Sequence, residues 1–163
     1  LIQPRAEGEI AFLLSKDLQG PGVTNDDVLA ATEAVMPCFE VVDSRVKDWQ
    51  IKIQDTIADN ASCGWFALNE AAAVDPAAVD LVNCQMTVRK NGSVISTGTG
   101  AAAMGSPVNC ITWLANTLGA FGITLERGDI VLSGSLVPLE AVAAGDEMTL
   151  HIDGMGDCAV AFT

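Results

Sequence analysis

Residues 7–16, EGEIAFLLSK, place two carboxylates at alternate positions and then run into apolar side chains. Alternation marks a strand, on which positions two apart share a face. Glu9, Ala11, Leu13 and Ser15 fall on one face and Ile10, Phe12 and Leu14 on the other. The expectation is a strand buried on both sides near its middle, with charge confined to its start. Glu7 and Glu9 then stand side by side, their Cα atoms roughly 6.5–7 Å apart. Two like charges that close raise each other's pKa unless something positive lies between them. An all-oxygen donor set without His or Cys points to a hard divalent ion, Mg²⁺ or Mn²⁺. The plainer alternative is a pair of solvated residues at a strand entrance.

Outward from this strand, Gly20–Gly22 reads as a turn, and Thr24 with Asp27 as a capping pair for a helix whose inner face is Val28, Ala31, Thr32 and Val35, ended by Pro37. CFEVVDSRV (38–46) is a second buried strand with an acid, Glu40, inside an apolar run. Glu40 needs a partner if buried and none if it faces solvent at an edge. Trp49, Ile51 and Ile53 alternate, which predicts a strand leading into a loop at 58–62, with Lys52 solvated; GWFAL (64–68) returns to the core. Asn91-Gly92 between two β-rich runs predicts a type I′ hairpin. GSPVNCITWLANTLGAFG (105–122) reads as a helix with Ser106 at the N-cap, Pro107 at the first helical position, Val108, Ile111, Leu114, Ala115 and Leu118 inward, and Gly119 or Gly122 at its end. Three or four short strands complete a β-dominated α+β domain with few helices.

Composition bounds the function. The 163 residues are 50% hydrophobic and 18% charged, with a mean hydropathy of +0.36, which fits one folded domain and excludes a disordered chain. A net charge of −13, from 21 acidic against 8 basic residues, argues against nucleic acid or an anionic membrane as a partner. No run approaches the roughly 20 apolar residues of a membrane span. Five widely spaced cysteines without a CxxC pair read as free thiols of a reducing cytoplasm rather than a disulfide framework or a zinc site. The chain opens on Leu1 in LIQPR, so the expectation is a single catalytic domain, 1–163, preceded by a segment not included here.

LIQPRAEGEIAFLLSKDLQGPGVT, then FEVVDSRVKDWQIKIQDTIADNASCG, then GTGAAAMGSPVNCITWLANTLGAFGITLERGDIVLSGSL resemble, over essentially the whole chain, the hydratase and decarboxylase branch of the fumarylacetoacetate hydrolase superfamily, and within it the 2-hydroxypenta-2,4-dienoate hydratases of aromatic meta-cleavage pathways. The resemblance implies a mixed β-roll and an N-terminal region that supplies some acid–base groups. It implies one divalent metal, Mg²⁺ or Mn²⁺, on Glu7, Glu9 and Glu40, and a substrate whose carboxylate and C2 oxygen chelate that metal. It places pocket-lining residues near Asn60 and Ser62, the expected catalytic pair, and near Ser133, Gly134 and Ser135, expected to bind substrate. Asn60 and Ser62 read equally as turn residues, and Gly134 as a bend.

The implied reaction is hydration of the dienoate to 4-hydroxy-2-oxopentanoate by a cytoplasmic homo-oligomer that can associate with a sister pathway enzyme. The alternatives are decarboxylation of 4-oxalocrotonate and a non-catalytic partner subunit. Hydrolysis of a C–C bond is disfavoured because ADNAS (58–62) stands where such relatives carry a lysine. Asp43 and Arg45 read as structural or supporting residues, and His151, in a C-terminal strand with no partner in view, as a non-catalytic residue. Where many relatives have Gly-His-Pro, this chain has Gly105-Ser106-Pro107, which points to a different substrate tail.

Overall fold

The first strand behaves as its alternation requires. In the computed structural model, which describes residues 1–163, β1 runs Pro4–Leu14, and Ile10, Ala11 and Phe12 are all fully buried. It pairs antiparallel with β2 (Thr32–Asp43), which pairs in turn with β3 (Cys63–Leu68). On its other side β1 meets two short strands, β6 (Ile130–Leu132) and β7 (Glu140–Ala141). The second sheet is β5 (Ser93–Thr99), β4 (Gln85–Lys90), β8 (Glu147–Ile152) and β9 (Gly156–Ala161), in that order. Every strand pair is antiparallel, so the domain is β-dominated with three short helices, as expected.

The core lies between the sheets. From the first come Ala6, Ile10, Phe12, Leu14, Val35, Phe39 and Val41; from the second, Met86, Val88, Met148, Leu150 and Ile152. Val28 and Ala31 of α1 (Asn25–Ala31) and Val108, Ile111 and Ala115 of α3 (Pro107–Gly119) join them. Each of the larger side chains contributes on the order of 1.5–3 kcal/mol by leaving water. Gly20 and Gly119 let a loop and a helix meet: a Cβ on Gly119 would lie 2.3 Å from the Gly20 backbone.

Three local readings are corrected. The Thr24–Asp27 box does start α1, with Asp27 N donating to Thr24 Oγ1 and Thr24 N to Asp27 Oδ2. The helix ends at Ala31, however, and Thr32, Val35 and Pro37 belong to β2. Pairing with β1 outweighs the helical spacing, and Pro37 is tolerated for a visible reason. Ile10, opposite Pro37, directs its own N–H and C=O to Ser133, so the missing Pro37 donor faces the other way, beyond the last residue of β3, where its C=O accepts from Asn69 N.

The strand expected over Trp49–Ile53 is instead a 3₁₀ turn (Lys47–Trp49) followed by α2 (Ile53–Ala58), started by Asp55 accepting from Lys52 N. No strand lies beside it to pair with, so its alternation has nothing to act on. GWFAL is a strand, but the outer one of its sheet, with Trp65 70% and Phe66 54% exposed rather than in the core. The Asn91-Gly92 hairpin forms with both residues at positive φ (51° and 81°), and α3 begins at Pro107. Ser106 occupies the N-cap position without a side-chain bond to the helix.

Candidate metal centre

The alternation that sends Ile10 and Phe12 into the core turns Arg5, Glu7, Glu9, Ala11 and Leu13 to the opposite face of the same sheet. Register then brings Glu40 of β2 directly opposite Glu7, and Cys38 opposite Glu9. Even-numbered residues of β1 bond away from β2: Ser133 N donates to Ile10 O and Leu136 N to Gly8 O. Glu7–Glu40 and Glu9–Cys38 are therefore hydrogen-bonded pairs, with Cα atoms about 5.5 Å apart. Glu7, Glu9 and Glu40 each offer a carboxylate oxygen, and the three oxygens lie within 4.8 Å of one another. Glu40, ambiguous as an edge residue in sequence, is thus the third member of the cluster.

The 133–135 loop holds Glu9. Gly134 N donates to Glu9 Oε2 at 2.7 Å, whereas the Ser135 hydroxyl donates to Val137 O and accepts from Val137 N. Ser133 Oγ accepts from Ile10 N and donates to Gly134 O, which fixes the loop to β1. Gly134 sits at φ 84°, a conformation glycine adopts without penalty.

Burial and mutual repulsion make the cluster costly without a cation. Glu9, 1% exposed, is pushed up to about 8 by burial and then by Glu40 and Glu7; Glu7 is pushed up to about 7 by burial and then by Glu40. Burial raises Glu40 as well. Three carboxylates converging without Lys, Arg or His fit a hard divalent ion through oxygen alone. Cys38 stands apart from the cluster, fully buried with Ala11 and Met36, and burial and then Glu9 push its thiol well above the usual range.

The other sequence candidates lie on the segment that follows β2. Ser62 is buried, and its Oγ donates to Asp59 Oδ2 at 2.9 Å; Asn60, Ala61 and Ser62 all have positive φ. Asp59 also accepts from Arg45 N, which holds its carboxyl below the usual range, and it pairs with Arg45 Nε at 3.6 Å. Asp43 takes a separate role, accepting from Ile2 N and Gln3 N. His151 is not without a partner: its Nδ1 lies 2.7 Å from Asp157 on an exposed hairpin. All five cysteines are free.

Two further residues, Arg5 and Trp49, have no site role in the sequence reading. Arg5 precedes Glu7 by two positions, so the alternation already placed it beside the carboxylates. Trp49, over whose ring the Arg5 guanidinium sits at 4.6 Å, carried no such signal. A cavity of about 770 Å³ lies elsewhere, with none of the three carboxylates in its lining. Leu1, Ile2, Trp65, Val160 and Phe162 are among its lining, which includes no acidic, basic or histidine side chain.

Comparison with known proteins identifies the frame. Residues 2–163 match the model of the fumarylacetoacetate (FAA) hydrolase C-terminal family. The chain belongs to that family. Among its relatives, a 2-hydroxyhexa-2,4-dienoate hydratase of Comamonas testosteroni is 60% identical over all 163 residues, which make up 61% of that protein. A 2-hydroxypent-2,4-dienoate hydratase of Pseudomonas putida is 75% identical over 123 residues, 76% of this chain and 55% of the relative. The solved structure of 4-oxalocrotonate decarboxylase from Pseudomonas putida G7, complexed with magnesium and adipate, superposes with a TM-score of 0.95 at 34% identity, over 100% of this chain and 62% of that one. The chain thus spans about three-fifths of the length of the relatives it matches. No helix in it is long and apolar enough to cross a membrane.

Proposed function

We propose that the protein is a metal-dependent hydratase (a hydro-lyase) that adds water to 2-hydroxypenta-2,4-dienoate, giving 4-hydroxy-2-oxopentanoate, in the meta-cleavage catabolism of aromatic compounds. The observation that carries this reading is the convergence of Glu7, Glu9 and Glu40 within 4.8 Å on one sheet face of a chain whose hydratase relatives are 60% and 75% identical to it. The three carboxylates would hold one divalent cation, Mg²⁺ or Mn²⁺, which supplies Lewis acidity toward the carboxylate and C2 oxygen of a 2-oxo acid.

The protein's own groups set up the rest. Gly134 N–H orients Glu9, and the Ser133–Ser135 loop is assigned to the substrate as its binding edge. Asn60 and Ser62 are assigned to proton transfer. Ser62 Oγ already donates to Asp59, so a proton taken up or given there has a carboxylate behind it. Ketonisation moves the enol proton's equivalent to C5, and water then adds across C3 and C4, its oxygen to C4 and a proton to C3. The protein is assigned to the cytoplasm as a homo-oligomer, able to associate with a sister pathway enzyme.

The test uses the intact protein and freshly prepared 2-hydroxypenta-2,4-dienoate, following loss of the dienoate absorbance with and without Mg²⁺ or Mn²⁺. Metal-dependent loss that collapses in Glu9→Gln supports the hydratase. Consumption of 4-oxalocrotonate alone, with CO₂ released, replaces it by the decarboxylase; reaction of neither leaves a non-catalytic subunit.

A further inference from the structure

The face that carries the carboxylates changes character along β1, and each step is set by strand register. At one end lies Arg5, opposite Val42, its guanidinium against the face of Trp49. Next come Glu7 and Glu40, flanked by Phe66 opposite Glu40. Then come Glu9 and Cys38, flanked by Leu68 opposite Cys38. Beyond them Ala11 lies between Met36 and Leu132, with Leu13 past it. Ala11, Met36 and Cys38 are fully buried and form an apolar cluster separate from the main core, covered by the partly buried Leu13, Leu68 and Leu132. A cation, three carboxylates and an apolar floor thus follow one another at intervals of about 6.5–7 Å.

Arg5 is the cation with a free hand here. The ion pairs of the protein involve Arg45, Lys90 and His151, and Arg5 makes none although Glu7 is two residues away. Trp49 holds the guanidinium, and is itself fixed by its Nε1 donating to Gln3 O. Stacking of this kind leaves the in-plane N–H groups of an arginine open for a carboxylate. No Lys, Arg or His stands in the Ala11, Met36 and Leu132 row or in the leucines beside it, so a second carboxylate there would be desolvated without a partner.

We propose that this gradient sets both the direction and the class of ligand: a 2-oxo acid lies along β1 with its carboxylate end toward Arg5 and a short uncharged tail over Leu13, Leu68 and Leu132. The inference rests on the hydratase reading for its 2-oxo acid and deepens it, since the dienoate ends in an uncharged carbon whereas 4-oxalocrotonate ends in a second carboxylate.

Binding, not turnover, tests it. Calorimetric titration of the intact Mg²⁺-loaded protein would compare 2-oxobutanoate, 2-oxopentanoate and 2-oxohexanoate with 2-oxoglutarate and 2-oxoadipate. Each added methylene is expected to tighten binding about fourfold until the floor is covered. The dicarboxylates should bind at least tenfold more weakly than monocarboxylates of equal length. Arg5→Gln should weaken every probe by a common factor of about tenfold while leaving the dependence on tail length intact, and Arg5→Lys should recover part of that loss. Leu132→Lys should reverse the preference toward dicarboxylates; if that variant does not fold, Leu68→Lys is read in its place.

Equal affinity for mono- and dicarboxylates, no dependence on tail length, or an Arg5→Gln effect that varies with the tail overturns the proposal. A tail-length series in a protein that does not consume the dienoate would keep this proposal and remove the hydratase. Dienoate hydration without the series would do the reverse, and failure of every 2-oxo acid to bind would remove both.

Discussion

The two faces of β1 are made from one run of eleven residues and do opposite work. Ala6, Gly8, Ile10, Phe12 and Leu14 meet the second sheet and stabilise the fold; Arg5, Glu7, Glu9, Ala11 and Leu13 face the other way, and Glu7 and Glu9 converge there with Glu40 of β2 into a cluster that opposes it. A strand with a period of two lets both sets share one backbone, so a rigid core fixes the spacing of the reactive face. Stability and metal binding should therefore respond to substitutions at alternate positions.

The largest effect belongs to the core face. Phe12→Ala should cost about 3–5 kcal/mol in denaturant unfolding, because a fully buried ring is removed from between the sheets. Gly8→Ala comes next. Its Cβ would lie 2.5 Å from Met86 Sδ, so about 1–3 kcal/mol is expected as Met86 is forced aside. One residue along, Glu9→Gln should leave the metal-free protein at least as stable as the original, since it removes a charge that burial and two neighbours disfavour. A comparable loss of stability in all three variants would break the two-face account.

Titration sharpens the contrast. The folded-state values of about 7 for Glu7 and about 8 for Glu9 lie above the ordinary 4.5, so the folded protein holds protons that the unfolded chain releases. Stability from these groups is complete below about pH 4.5 and is lost as pH rises through 7 to 8. The melting temperature of the metal-free protein should therefore fall between pH 5 and pH 8, and the fall should shrink in Glu9→Gln and disappear at saturating Mg²⁺. The smallest effect lies away from both faces: Gly92→Ala, at φ 81°, should cost about 1 kcal/mol and leave metal affinity unchanged, checked by unfolding and metal titration together.

Period-two alternation alone was enough to place Glu7 and Glu9 on one face and Ile10 and Phe12 on the other. Glu40 was different: that it opposes Glu7 depends on the β1–β2 register, which no local pattern states and which only family resemblance supplied beforehand. Val35 and Pro37 read as the end of a helix because their spacing fits one, and a neighbouring strand overrode it. Trp49–Ile53 erred in the opposite direction, since alternation means a strand only where a partner exists. Arg5 was legible by the same rule as Glu9, yet a lone basic residue draws no notice until its lack of an ion-pair partner and its stacking on Trp49 are seen.

Glu7, Glu9 and Glu40 are proposed to form one divalent-cation site on the face opposite the core. Calorimetric titration of Mn²⁺ into the intact protein and into its Glu7→Gln, Glu9→Gln and Glu40→Gln variants tests it most directly. One ion per chain is expected in the original protein, with at least tenfold weaker binding in each variant and melting temperatures of the metal-free forms not reduced. Undiminished Mn²⁺ affinity in Glu9→Gln and Glu40→Gln would contradict it.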